Sequence, residues 1–283
     1  MASLTLSDLF VYPIKSAAGI RVNQSSLTSR GLSFDRRYML VMPDGHFMTQ
    51  RRFPKVALIQ PQILLDDHAL LIKAPGMDFL KISLSIEIDH SGDLSKLEVD
   101  VWGDLISALS CGPTAGSWFT QFLETPCQLV YMPDTTQRPT DHGKFGPEEV
   151  VSFADAYPYL LSSDASLAGL NQKLSANNAN PVSMNRFRPN LVVSGDISPH
   201  AEDEWKQLRI GEAIFKVAKP CSRCSIPNVD QETGDRTREP SRTLATYRAW
   251  DKGIWFGQNL LQESSAPDKL DVLTVGDSVE ILA

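Results

Sequence analysis

Cysteine is scarce in this chain. Four in 283 residues cannot build the disulfide framework of a small secreted scaffold, so a reducing cytoplasm is the expected setting. No apolar run approaches the roughly 18 residues that a membrane span requires. Met1-Ala2-Ser3-Leu4-Thr5 offers no basic stretch leading into an apolar one, so these residues do not read as a secretory leader. There is no internal repeat. Basic residues are in deficit, 27 Lys and Arg against 34 Asp and Glu, and the net charge of −7 argues against nucleic acid as a general partner. The same deficit makes any local gathering of basic residues worth following.

What is present is ordinary for a globular protein: 42% hydrophobic and 22% charged residues. The length exceeds one average domain and suggests two, or one elaborate β-rich unit. Strand-like runs crowd the amino-terminal third: Leu6 to Ile14, Arg37 to Met42, Val56 to Leu65, Ala69 to Ala74 and Leu97 to Val101. Pro43-Asp44-Gly45 supplies a tight hairpin turn, with His46 to Thr49 returning. Trp118, Phe119, Phe122 and Leu123 recur at helical spacing, which predicts a helix over Thr114 to Leu123. A second helix is predicted from the caps Ser162 and Ser163, with Leu167, Leu170 and Leu174 on one face and the Asn-rich 176–180 segment at its end. Strands resume at Leu191 to Val193, Gln207 to Ile210, Ala213 to Val217 and Ser278 to Leu282. Many short strands without βα repeats predict an α+β, mostly β fold. Residues 133–150 form a polar, apolar-poor loop, either a domain connection or a flap over a site.

The most informative segment is Lys219-Pro220-Cys221-Ser222-Arg223-Cys224-Ser225-Ile226-Pro227. A thiolate at a strand end, beside a guanidinium, is poised as a metal ligand or nucleophile. Four uses stay open. Structural zinc wants four Cys or His ligands, but Cys111 and Cys127 stand alone and no His pair lies nearby. A thioredoxin-like pair would open a helix, whereas Pro227 follows here. Two inert buried thiols are the plain alternative. The fourth is a soft-metal site with one essential thiolate, the other ligands coming from a bound cofactor.

Basic residues stand at predicted strand ends: Lys15 after Pro13, Arg36 after Asp35, Arg51 and Arg52 after Thr49, and Arg188 before Pro189-Asn190. Singly, each reads as a solvated charge. Converged, with Ser16 and Asn190 as neutral donors, they would make an anion site suited to phosphate. Lys15, Arg36, Arg188 and Asn190 are expected to share one pocket, with Arg51 and Arg223 at its margin.

These residues carry a resemblance. Val11-Tyr12-Pro13-Ile14-Lys15-Ser16, Ser33-Phe34-Asp35-Arg36 and Met48-Thr49-Gln50-Arg51 resemble the amino-terminal β-barrel domain that accompanies MOSC domains. Ser152-Phe153-Ala154-Asp155-Ala156-Tyr157-Pro158, Phe187-Arg188-Pro189-Asn190, Pro220-Cys221-Ser222-Arg223-Cys224 and Phe256-Gly257-Gln258-Asn259 resemble the MOSC domain itself. The match runs over essentially the whole chain and is similar to bacterial relatives of the mitochondrial amidoxime-reducing component.

The resemblance implies an amino-terminal β-barrel-like domain over residues 1–125 packed on a MOSC β-barrel over 126–283. It implies a molybdenum cofactor, molybdenum held by a pterin dithiolene (Mo-molybdopterin), with Cys224 as the protein ligand or, failing it, Cys221. Pterin and phosphate contacts fall on Lys15, Ser16, Arg36, Arg188 and Asn190, and Asp155, Ala156 and Tyr157 fall on the metal-facing loop. Asp155 is the nearest group for moving a proton, against an ordinary turn role for an Asp before an Ala. Ala156 and Tyr157 replace small hydroxyl residues of the mitochondrial relatives, and Ser225-Ile226-Pro227-Asn228 replaces an apolar-Thr-Thr run. The implied activity is reduction of small N-hydroxylated compounds, N–OH to N–H plus water. A cysteine pattern for a plant-type iron–sulfur cluster is missing, so electrons are expected from a separate ferredoxin- or flavoprotein-type donor, unless these residues are part of a longer chain. A sulfur- or molybdenum-cofactor-carrying MOSC protein without reductase turnover and a non-catalytic binding module are the other functions considered. Family-level associations with pyridoxal phosphate binding and detoxification come with the resemblance.

Overall fold

The computed structural model describes residues 4–84, 95–263 and 271–283. Seven strands close into a barrel. Around it stand Tyr159–Ser163, Leu191–Ser194, Leu4–Val11, Ser278–Ile281, Gln207–Ile210, Ala213–Ser222 and Gly253–Glu263, the last pairing back onto the first. A closed ring with an odd number of strands cannot alternate direction at every joint. The exception is Tyr159–Ser163 with Leu191–Ser194, which run parallel. Parallel neighbours need a crossover, and helix Asp164–Ala176 provides it. Ser163 caps this helix, its Oγ accepting the Ser166 N–H at 3.1 Å, while Ser162 belongs to the preceding strand. Leu170 and Leu174 are buried and Leu167 packs against them.

The first strand lies in the segment that the sequence assigns to the amino-terminal domain, yet it is a stave of this barrel. Its Leu6, Leu9 and Val11 enter the barrel core with Leu161, Leu191, Val193, Leu208, Phe215 and Leu260. Leu6 and Leu9 reach the same side three positions apart because a bulge between Leu6 and Asp8 resets the alternation.

Ile20–Val22 pairs with the first strand, and Gln24–Thr28 lies between Val272–Thr274 and Gly31–Leu32 in a small sheet. The remaining strands of the amino-terminal segment build two sheets. One is four-stranded, in the order Tyr38–Val41, Gln128–Tyr131, Asp104–Ser110, Lys96–Val101; the other is three-stranded, from Gln60–Leu64, Ala69–Lys73 and Leu80–Ser83. Helix Gly112–Leu123 buries Ala115, Phe119, Phe122 and Leu123 against them. Cys127 is buried in this core and Cys111 packs on it.

Some expected strands are shorter or absent. Pro54 opens a one-turn helix, Pro54–Leu58, so pairing begins only at Gln60. His46 and Phe47 make isolated bridges rather than a strand. Asp104–Ser110, Tyr159–Ser163 and Gly253–Glu263 were not expected; in the last, Gly257, Gln258 and Asn259 interrupt the apolar alternation. Among the described residues no helix is long and apolar enough to cross a membrane.

Candidate cofactor site

The ends of strands from both halves meet around one cavity, partly open to solvent. Five cations and one carboxylate line it: Lys15, Arg36, Arg51, Arg188 and Arg223, with Asp155. Ser16, Ala156, Tyr157, Asn190, Cys221 and Cys224 complete the expected set in its walls. Arg52 does not join them; it is exposed and lies over Phe53.

Local backbone places the cations. Ser16, Arg36 and Arg188 all hold positive φ, at 67°, 51° and 56°, a cost tolerated where surrounding contacts fix the chain. The Tyr12 ring lies under two guanidiniums, Arg36 at 4.5 Å and Arg188 at 4.3 Å from its centroid. Burial, eased by those two charges, pushes the Tyr12 phenol up to about 12. Asp35 is buried and ties the group together. It accepts the Tyr12 N–H at 2.8 Å, Arg36 Nη1 at 2.5 Å and the Asn190 amide at 3.1 Å. The rest of the Asn190 side chain is also engaged, with Arg36 Nη1 at 2.9 Å, Leu160 N and Phe10 O. Asn190 therefore shapes the wall by holding Arg36. Arg188 donates from Nη1 to Ala17 O at 2.5 Å, while its buried Nη2 meets no acceptor. Burial brings the Arg188 guanidinium down to about 10.

Lys15 is 5% exposed in its side chain and donates from Nζ to Phe153 O at 2.7 Å and to Asp155 Oδ1 at 2.5 Å. Burial lowers the Lys15 ammonium to about 8, with Asp155 opposing the drop. Asp155 also accepts Trp102 Nε1–H at 3.0 Å. Enclosure opposes its ionisation, but Lys15, Trp102 and Arg51 outweigh that and hold its carboxyl below the usual carboxylate range. The Asp155 side chain itself faces open space, being 61% exposed.

The cysteine segment forms the remaining wall. Cys221 and Ser222 end the strand Ala213–Ser222, and a single turn, Ile226–Asn228, follows Cys224, so no α-helix starts at the pair. Arg223 donates from Nη1 to Cys221 Sγ at 3.1 Å and from Nη2 to Phe187 O at 2.8 Å, leaving its buried Nε without an acceptor. Cys224 is a free, half-buried thiol. Among the described residues no three His, Cys, Asp or Glu side chains gather as a protein-only metal cage.

Several contributors were not anticipated from sequence. Trp102, Asp35 and Arg138 hold the lining groups without lining the cavity themselves. Trp102 sits in a hairpin turn at φ 59°, an unusual place for a bulky residue, and Arg51 lies over its ring at 4.4 Å. Arg138 was one charge in a polar loop with nothing to mark it as buried. The Tyr157 hydroxyl is turned to Asp141 Oδ2 at 2.7 Å, tying the 133–150 loop to the cavity wall.

A closed seven-stranded barrel with a second β-unit, joined at a cationic cavity that holds a free cysteine, defines the class. Residues 3–126 match the model of the MOSC N-terminal beta barrel domain and residues 148–280 that of the MOSC domain. The chain is 34% identical over 288 residues to mitochondrial amidoxime reducing component 2 of Bos taurus, across 97% of this chain and 82% of that protein. It is 32% identical over 295 residues to human mitochondrial amidoxime-reducing component 1, across 98% of this chain and 83% of that one. It is also 34% identical over 294 residues to molybdenum cofactor sulfurase of Danio rerio, of whose length it spans only 34%. The chain belongs to the MOSC family.

Proposed function

We propose that this chain binds a molybdenum cofactor and reduces small N-hydroxylated compounds, N–OH to N–H plus water, with electrons from a separate ferredoxin- or flavoprotein-type protein. The observation that carries the reading is one cavity holding five cations and a free thiol in a chain of net charge −7. A phosphate-bearing pterin fits these residues. Arg188 Nη2 and Arg223 Nε are buried donors without acceptors, and leaving such groups unmet costs about 1–3 kcal/mol or more each. Lys15, Ser16, Arg36 and Arg188 would hold the anionic part, and Cys224 would be the thiolate ligand. When bound, the group would supply two-electron chemistry at a soft metal.

The chain's own residues then bind, orient and move protons. Asp155, held ionised, is an acceptor rather than an acid. Lys15 Nζ, brought to about 8 and bonded to Asp155, is the group that exchanges a proton near neutral pH. On this reading the proton-moving role expected for Asp155 is shared with Lys15, which gives the proton while Asp155 accepts.

A second reading, that Cys224 carries a transferable sulfur, is favoured by the equal identity to the sulfurase of Danio rerio. Metal analysis after purification from a molybdenum-replete host separates the two. The wild type is expected to retain molybdenum and, with a chemical reductant, to reduce a hydroxylamine. Cys224→Ser is expected to fold but lose both; wild-type rates in it would exclude a Cys224-ligated centre.

A further inference from the structure

The loop from Ser152 to Tyr157 is held through its backbone carbonyls. Arg138, 2% exposed, donates from Nη1 to Ser152 O at 3.0 Å and Ala154 O at 2.6 Å, and from Nη2 to Asp155 O at 2.9 Å. Its Nε is anchored on Asp104 Oδ2 at 2.9 Å. Lys15 takes Phe153 O, and the Asp141 N–H takes Ala156 O at 3.1 Å. Five consecutive carbonyls are thus engaged by groups outside the loop.

A trans peptide points its N–H opposite to its C=O. With Ala154 O and Asp155 O turned to Arg138, the N–H groups of Asp155 and Ala156 face away from it. With Ala156 O turned to Asp141, the Tyr157 N–H faces away from that strap. No described residue accepts from any of these three N–H groups, and all three residues line the cavity. Consecutive unpartnered amides are donors open to a negative oxygen. Arg188 Nη2, buried and unpartnered in the same cavity, independently marks it as built for an anion.

We infer that Arg138 is a positioning residue that presents the Asp155, Ala156 and Tyr157 amides to an oxyanion in the cavity. The inference rests on the reading of the cavity as an anionic-cofactor site, but concerns a different part of it from Cys224. Arg138 touches no ligand; it acts by fixing which way the peptides face. A lysine could keep the charge but not the fork that reaches three carbonyls.

The test is amide resonances of ¹⁵N-labelled, cofactor-free protein titrated with molybdate. In the wild type the Asp155, Ala156 and Tyr157 amide protons are expected to move downfield as they gain an acceptor. In Arg138→Lys those shifts are expected to fall at least severalfold, while perturbations near Arg188 persist. Equal shifts in the variant, or shifts confined to the Arg188 region in the wild type, would overturn the inference. Should Arg138→Lys fail to fold, Asp104→Asn loosens the Nε anchor and keeps the guanidinium; it should weaken the same shifts, and unchanged shifts would count against the role equally. Because no metal or turnover is read, failure of the reductase proposal leaves this result standing. Lack of the amide shifts likewise leaves metal retention by Cys224 standing.

Discussion

Lys15 and Asp155, 140 positions apart in the chain, meet at 2.5 Å across the cavity, one almost wholly buried and the other open to it. Burial lowers the lysine from 10.5 to about 8, so its charge is present at neutral pH and is lost as pH rises through 8. Affinity of the cofactor-free chain for sulfate, whose charge does not change from about pH 6 to about pH 9.5, should therefore fall severalfold on the alkaline side. Lys15→Met should bind more weakly with little dependence over that range. A flat wild-type curve would remove Lys15 from the anion site. The stability effect has the opposite sense. A lysine with a depressed folded pKa costs stability while protonated, and that cost is relieved between about 8 and 10.5.

Asp35 is the buried counter-charge of the cation cluster. Its side chain is 2% exposed and that of Arg36 12%, so solvent screens the pair little. Removing one partner of such a pair typically costs about 3 kcal/mol or more. Asp35→Asn keeps the shape and an acceptor but not the charge. It should lower the melting temperature by roughly 6–12 °C and weaken phosphate binding, because Arg36 and Asn190 lose their common anchor. Calorimetry showing a change under about 2 °C would mean that the buried charge is dispensable.

The helix Gly112–Leu123, the Ser163 cap and several of the strands were legible because their signals are local: periodicity, a capping hydroxyl and an Asp-Gly turn. The grouping of Lys15, Arg36, Arg188 and Cys224 was legible only through an ordered set of motifs, since no spacing in one dimension says which strand ends meet. Arg138 shows what stayed hidden. An arginine in a polar loop has the same local signature whether it is solvated or closed over by three carbonyls, and only the tertiary fold decides. The strand Gly253–Glu263 was hidden for a different reason: its Gly257 breaks the pattern because the backbone, not a side chain, is needed there.

That need can be tested. Gly257 has φ 80°, and a Cβ on it would stand 2.7 Å from Leu161 O and from Ser162 Oγ, across the joint that closes the barrel. Gly257→Ala should destabilise the chain by about 2–3 kcal/mol, from strain and from the forced separation of the strands. Denaturant unfolding should show a lower midpoint with an unchanged slope. An unaltered midpoint would mean that the barrel joint is looser than the geometry requires.

Trp102 pairs a strained backbone with a specific contact. A two-residue hairpin turn with positive φ at both positions favours Asn-Gly, and here Trp102-Gly103 occupies it at φ 59° and 90°. The indole donates to Asp155 Oδ1 at 3.0 Å and carries Arg51 on its face. Trp102→Phe keeps a ring and the turn but deletes the donor. Asp155 has a depressed folded pKa, so its pairing energy is present at neutral pH and is lost as pH falls through that folded value. Losing one donor raises the folded value, so the pairing energy is smaller and its loss, which starts at the unfolded carboxyl value in both proteins, is complete at a higher pH. The side-chain carboxyl ¹³C resonance of Asp155, followed through acid titration, should have its midpoint displaced upward in Trp102→Phe, with the melting temperature near neutral pH lowered by only a few degrees. An identical midpoint in both proteins would show that Lys15 and Arg51 set the charge of Asp155 and that the indole contact is incidental to it.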